Sequence, residues 1–320
     1  MLRRHLTALL LTFVGAAPAV ADVPRVAVDI PPVHGLVSMV MDGVGEPDLL
    51  MRPGASPHGY AMRPSEARAL QRADAVVWIG PELTPWLERP MSSLAGGAVD
   101  LPLLNHPVTR VLDIRDALEA GPPSENEGHG DHDGHSLDDH DHDHHDHGSL
   151  DPHAWLDPAN AKAWLPLVAE LLSGLDPENA DVYAENARRA VAQLEMISRD
   201  TELLLASMQT RKYVGFHDSL HYFEARYGLQ TAGTLALSDA QDPSPARMAR
   251  MKTELAGSGI SCAFSEPQFD PGLLEVALET AEIPIVEIDP VGRDFALGSD
   301  FYPELIRSVA ASFARCADAK

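Results

Sequence analysis

Three imidazoles and one carboxylate in this chain fall where a ligand would meet them. His58 lies in Pro53-Gly54-Ala55-Ser56-Pro57-His58-Gly59-Tyr60, a turn following the short strand-like run 48–51. His153 lies in Asp151-Pro152-His153-Ala154-Trp155-Leu156-Asp157-Pro158, just ahead of a helical pattern. His217 directly follows the apolar run 212–216, and Asp289 follows the run 284–288. Open parallel sheets bind ligands in the crevice beyond the carboxyl ends of their strands. A single histidine at such a place is more often structural than ligating. Three imidazoles and a carboxylate gathered there match the tetrahedral N and O shell of a zinc ion.

A second group of ligand types is local. Between His129 and His147 the chain carries His129, His132, His135, His140, His142, His144, His145 and His147, interleaved with seven Asp and almost nothing apolar. A solvated acidic insertion would be rich in Glu, Lys and Ser. Alternating Asp and His instead suits zinc, nickel or copper, so this stretch reads as a secondary, weaker metal loop. It has too little apolar surface to offset ordering, and residues 119–150 are expected to be disordered without metal. His34, His106 and His221 are weaker candidates, with His34 near the cleft side and His221 reading as an ordinary helix residue. The chain has no G-x-x-x-x-G-K-[ST], G-x-S-x-G or H-E-x-x-H motif, and no G-x-G-x-x-G after a strand. No general base stands at a fixed spacing from the candidate ligands, which argues for binding without catalysis.

The elements that would position these residues follow from hydrophobic periodicity. Strands are expected at 26–30, 48–51, 75–79, 99–104 and 110–114, alternating with helices at 33–43, 64–72 and 85–94. A helix at 158–173 follows. After 210 the alternation resumes, with strands at 212–216, 229–235, 260–265 and 284–288, and helices at 219–227, 245–256, 271–281 and 303–317. Such alternation means parallel sheets covered by helices on both faces. Between the two sets, Asp176-Pro177 is a helix-start signal, and no Gly or Pro occurs from Glu178 to Gln209. Tyr183, Ala187, Ala190, Leu194, Ile197, Thr201, Leu204 and Met208 recur at steps of four and three, a single helical stripe. The expected architecture is α/β: two lobes, each a mostly parallel sheet flanked by helices, joined by one long rigid helix. The division is 1–21 export signal, 22–175 first lobe, 176–209 linking helix and 210–320 second lobe.

The ends and the charge narrow the class. Arg3-Arg4, the apolar run 6–14 and Ala19-Val20-Ala21 form a secretory signal, with cleavage expected after Ala21. The next residue is not Cys, which argues against a lipid anchor, and a periplasmic location is expected. The net charge of −24 argues against nucleic acid or an anionic membrane as partner. Two cysteines, Cys262 and Cys316, would in an exported chain most simply pair, closing a loop of about 55 residues worth about 4 kcal/mol by chain entropy. Two buried thiols are the alternative.

Pro-Gly-Ala-Ser-Pro-His58 with Met62-Arg63-Pro64-Ser65 resembles the metal-binding solute-receptor family of ABC importers, its zinc branch in particular. The resemblance extends through Ala75 to Glu82, the segment around His153, Gly215-Phe216-His217-Asp218, Ser265-Glu266-Pro267 and Ile288-Asp289-Pro290, nearly the whole mature chain. It implies two α/β lobes on a long helix with the metal between them, and no enzymatic activity. It assigns His58, His153 and His217 as imidazole ligands and leaves the fourth position to Asp289 or a water. Manganese receptors of the family carry a carboxylate where His217 stands, so the cargo implied is Zn2+. The His/Asp-rich loop and the cysteine pair also match the zinc branch. Pro57 departs from those zinc receptors that have an acidic residue before the first histidine. The implied partners are an inner-membrane ABC zinc permease and a periplasmic metallochaperone, with the receptor itself a monomer. A manganese or iron receptor and a secreted zinc hydrolase are the alternatives.

Overall fold

The computed structural model describes residues 23–115, 150–236, 248–249, 253, 259–279 and 283–319. Two four-stranded sheets, both parallel throughout, carry the fold. The first contains β1 (Val26–Val28), β2 (Asp48–Leu49), β3 (Ala75–Trp78) and β4 (Val99–Pro102) in the order β2-β1-β3-β4. The second contains β5 (Lys212–Gly215), β6 (Gln230–Thr234), β7 (Ile260–Ser265) and β8 (Ile285–Glu287) in the order β6-β5-β7-β8. In both, the first strand lies inside and the chain changes direction beside it. The crevice at that switch point is where an open α/β sheet binds its ligand. It lies between β1 and β3 in one sheet and between β5 and β7 in the other.

Helices α1 (Pro31–Met41), α2 (Pro64–Arg72) and α3 (Glu88–Leu94) belong to the first set, and α3 is preceded by a tight 3-10 turn at Pro85–Leu87. The second set has α6 (His221–Tyr227), α7 (Pro271–Leu278) and α8 (Phe301–Asp318), with α4 (Pro158–Leu175) and α5 (Ala180–Leu205) between the sets. The helix expected at 245–256 lies largely outside the described residues. The strand expected at 110–114 does not join a sheet: among these residues only Asp113 pairs, in an antiparallel bridge with Leu150. Its backbone groups are already committed. Arg110 N–H and C=O are both held by the Asn160 side chain, and Leu112 N–H donates to the Tyr222 hydroxyl.

The long helix forms where periodicity places it, with two adjustments. Asp176-Pro177 opens a 3-10 turn, Pro177–Asn179, before α5 begins at Ala180. The Asp176 carboxylate holds that entry by accepting from Asn179 Nδ2 (2.7 Å) and the Tyr183 hydroxyl (2.9 Å). The buried stripe runs Tyr183, Ala187, Ala190, Leu194, Ile197 and Thr201, then passes to Leu205, while Leu204 is 47% exposed. The expected step of three from Thr201 is a step of four, and Met208 is buried beyond the helix end.

α5 packs on α4, α1 and α8, and these four helices share one apolar core. All eleven residues of α1 are buried. Gly35 permits its close approach to α8, since a Cβ there would come within 2.9 Å of Tyr302 N. Cys262 of β7 and Cys316 of α8 form a disulfide, with Cα atoms 5.4 Å apart. It fastens α8 to the centre of its own sheet while the same helix packs against α1.

Candidate metal centre

His217 stands two residues past β5, and Glu266 immediately past the neighbouring strand β7. Because β5 and β7 are adjacent and parallel, their carboxyl ends bring these residues together across 49 positions of sequence. Glu266 Oε1 lies 2.9 Å from His217 Nδ1, and both side chains are buried. His153 is presented by the 3-10 turn Ala154–Leu156 that precedes α4. Asp151 Oδ1 accepts from the His153 backbone N–H (3.0 Å) and lies 2.7 Å from His153 Nδ1. Burial alone would push the Asp151 carboxyl up, but the neighbouring His153, with His221, outweighs burial and holds it at about 2.

These contacts fix the chemistry of both rings. Each carboxylate engages its ring at Nδ1, so Nε2 is the nitrogen that each ring can offer to a metal when neutral. The two Nε2 atoms lie 3.4 Å apart. Two zinc–nitrogen bonds of about 2.05 Å at the tetrahedral angle span about 3.3 Å, so the pair is already at chelating separation.

His58 comes from the loop after β2. Its ring centroid is 5.5 Å from that of His153, which is 5.2 Å from that of His217. Trp86 Nε1 holds the loop by donating to the Pro57 carbonyl (2.7 Å). The three rings are gathered, although among the described residues no group of three or more His, Cys, Asp or Glu side chains is fully converged on a metal position. His153 and His217 are set, and His58 is beside them.

Asp289 is placed differently. Its Oδ1 accepts from Gln268 Nε2 (3.0 Å), Val291 N (3.0 Å) and Gly292 N (2.9 Å), and its Oδ2 from Arg293 N (2.6 Å). Three of these donors fall on Oδ1 and one on Oδ2, so the turn engages both oxygens and only Oδ2 keeps an accepting site. The side chain braces the turn after β8, which is the edge strand and not part of the β5/β7 switch point.

The weaker histidines also find places. His221 is more than an ordinary helix residue, because its Nδ1 lies 3.3 Å from Asp151 Oδ2, behind the carboxylate that orients His153, although without hydrogen-bond alignment. His34 is buried in α1 with Nδ1 3.2 Å from Ser38 Oγ, and burial pushes its pKa down. His106 Nδ1 accepts from Val108 N within its own turn (3.4 Å). The eight histidines from His129 to His147 lie outside the described residues. Asp151 and Glu266 are the site residues that sequence reasoning missed. Asp151, two positions before His153, was open to an Asx-turn argument, whereas Glu266 needed the strand order.

Contacts between the two sets of elements fix His153 relative to His217. Tyr222 of α6 accepts from Leu112 N and donates to Asp151 O, both at 2.9 Å. Asp157 caps α4 through Ala159 N and pairs with Arg226 of α6 at 2.6 and 2.7 Å. Arg115 pairs with Asp218, next to His217, and with Glu224 of α6. Trp155 Nε1 donates to Pro290 O (2.9 Å), while its own carbonyl accepts from the Tyr302 hydroxyl (2.7 Å).

The family described as zinc-uptake complex component A, periplasmic, matches residues 26–316. The high-affinity zinc uptake system protein ZnuA of Paracoccus denitrificans (strain Pd 1222) is 42% identical over 306 residues, covering 94% of each chain. The protein of the same description from Brucella abortus (strain 2308) is 34% identical over 307 residues, covering 91% of each. A solved crystal structure of ZnuA superposes with a TM-score of 0.73 at 21% identity, covering 92% of this chain and 100% of the other.

Proposed function

The chain belongs to the periplasmic zinc-uptake complex component A family, and from that premise we propose that it is a zinc receptor. It captures Zn2+ in the periplasm and delivers it to an inner-membrane ABC zinc permease. Zinc is the cargo, and no covalent step is involved. The observation that carries this reading is the pair of facing Nε2 atoms of His153 and His217, 3.4 Å apart, on rings each oriented by a buried carboxylate. Neutral imidazoles held this way select a borderline-soft divalent ion over the hard ions that prefer all-oxygen shells.

The proposed ligands are His58, His153 and His217. An N/O shell with no thiolate allows the ion to be given up when one ligand moves, and His58 is the ligand carried on a loop. Asp289, held in the turn after β8, could join the shell through Oδ2, which accepts one hydrogen bond where Oδ1 accepts three. The proposed working division is a first lobe at 22–175, a linking helix at 176–209 and a second lobe at 210–320, acting as a monomer. The His/Asp-rich segment supplies weaker secondary sites.

Zinc titration against a competing chelator tests the ligand set. His58→Ala, His153→Ala and His217→Ala are each expected to weaken binding by orders of magnitude, because each removes one of three imidazoles. Wild-type affinity in His217→Ala would overturn the assignment.

A further inference from the structure

The loop that carries His58 is held from both halves of the molecule. On its own side, Trp86 Nε1 donates to Pro57 O (2.7 Å), and the Tyr60 and Trp86 rings meet edge-on, 5.2 Å between centroids. The Tyr60 hydroxyl donates to Glu66 Oε1 of α2 (2.8 Å) and accepts from Arg52 Nε (3.3 Å). On the other side the contact is with Arg293, from the turn after β8. Gly54 has a left-handed backbone, φ 80°, and a Cβ there would lie 2.8 Å from Arg293 Cγ and 3.1 Å from its Cδ. The aliphatic stem of Arg293 therefore lies against the Gly54 backbone, in space that any side chain would fill.

Arg293 is itself tied at both ends. Its backbone N–H donates to Asp289 Oδ2, and Val291 N and Gly292 N donate to Oδ1, so the turn from which it projects is fixed. At the head, Nη1 donates to Pro267 O (3.3 Å), while Nε and Nη2 donate to the Asp294 carboxylate (3.3 and 3.0 Å). Pro267 follows Glu266, the residue that orients His217. With backbone and head both held, the stem between them loses little further freedom by packing on Gly54.

We propose that Arg293 is a positioning residue for zinc, whose stem braces the His58 loop against the half of the molecule that supplies His217. The inference rests on the zinc reading above. His153 and His217 each have a carboxylate at Nδ1 to orient the ring. His58 is carried on a loop, its ring centroid 5.5 Å from that of His153, so what holds the loop holds the ligand. Trp86 and Glu66 fix that loop to the first set of elements, and the contact of Arg293 with Gly54 ties it to the second. Without the contact, the loop can carry His58 off the ion while the other two imidazoles stay in place. The effect therefore belongs in the rate at which zinc leaves.

The test follows zinc release from the full-length mature protein into excess chelator by stopped flow. Arg293→Ala is expected to release zinc about tenfold faster than wild type, in the range typical of outer-shell partners. Arg293→Lys keeps most of the stem and is expected to restore slow release. The Arg293 side chain is 37% exposed, so its truncation should leave the unfolding midpoint of the apo protein near that of wild type. The decisive comparison is made in His58→Ala, where adding Arg293→Ala should change nothing further, because the residue acts through the missing ligand. Wild-type release in Arg293→Ala, or an equal acceleration with and without His58, would overturn the positioning role and leave the ligand set standing. Wild-type release in His58→Ala itself would instead overturn the ligand set, and the role of Arg293 with it.

Discussion

A neutral imidazole has one bare nitrogen, and its other nitrogen's partner decides which one it is. In this chain Asp151 and Glu266 make that choice for His153 and His217. The three histidines could be picked out of the sequence because they follow strand-like runs or precede a helix start. The carboxylates could not be assigned with the same ease, because the chain has 48 acidic residues and only the strand order selects Glu266. Asp289 stood at a strand end by the same rule as His217, but the edge position of β8 and the N–H groups of 291–293 direct its oxygens into a turn. A further buried carboxylate, Asp29, ties the ends of β1 and β3 by accepting from Ile30 N (2.8 Å) and Ile79 N (2.9 Å). Burial raises its pKa to about 7 despite these hydrogen bonds. A folded-state pKa above the unfolded value of about 3.9 means stability is full below pH 4 and is lost as pH rises toward 7. The loss is at most about 4 kcal/mol at 1.36 kcal/mol per unit. Denaturant unfolding of apo protein at pH 4.5 and 7.5 should therefore show wild type losing stability relative to Asp29→Asn. A difference between the two proteins that does not change with pH would refute the shift.

At the scale of elements, periodicity located the long helix, but not which leucine closes its buried stripe. Adjacent Leu203, Leu204 and Leu205 all satisfy a hydrophobic pattern, and packing chooses Leu205. The run 110–114 had strand composition, yet side chains of Asn160 and Tyr222 claim its backbone before any ladder can. Local pattern reads propensity, and these outcomes were set by residues far away in sequence. The disulfide was readable from two cysteines in an exported chain, and its placement gives it a specific mechanical part. It joins β7, whose end carries Glu266, to α8. With 54 positions between the cysteines, its removal in Cys262→Ala/Cys316→Ala should cost about 4 kcal/mol of apo stability. Zinc affinity should stay near wild type, because the β5/β7 ladder and the His217–Glu266 contact remain. Denaturant unfolding with and without zinc measures both effects. A stability change below about 1 kcal/mol would indicate that helix packing alone holds α8.

At the scale of the whole molecule, two sheets with the same strand order share a helical core, so neither half completes its packing alone. That sharing was hidden in the sequence, where α8 reads as the last helix of the second half, although it also packs on α1 and α5. The candidate metal centre lies where the halves meet, and its candidate ligands come from described elements on both sides. The chain leaves toward the His/Asp-rich segment and returns from it at Asp113 and Leu150, which pair in an antiparallel bridge with Cα atoms about 5 Å apart. Deleting residues 128–148 therefore leaves ends that a short connection can rejoin without disturbing Asp151 or His153. The deletion removes eight imidazoles and seven carboxylates but none of His58, His153 and His217. The proposed ligands on strand ends and a capped turn are ordered by folding itself, so metal binding there carries little ordering cost. Calorimetric titration of the deletion variant should retain the tight zinc phase at nearly unchanged affinity, with fewer weakly bound ions per chain. A lost tight phase with the weak phase intact would place the primary zinc in the deleted segment, and the paired imidazoles would need another purpose.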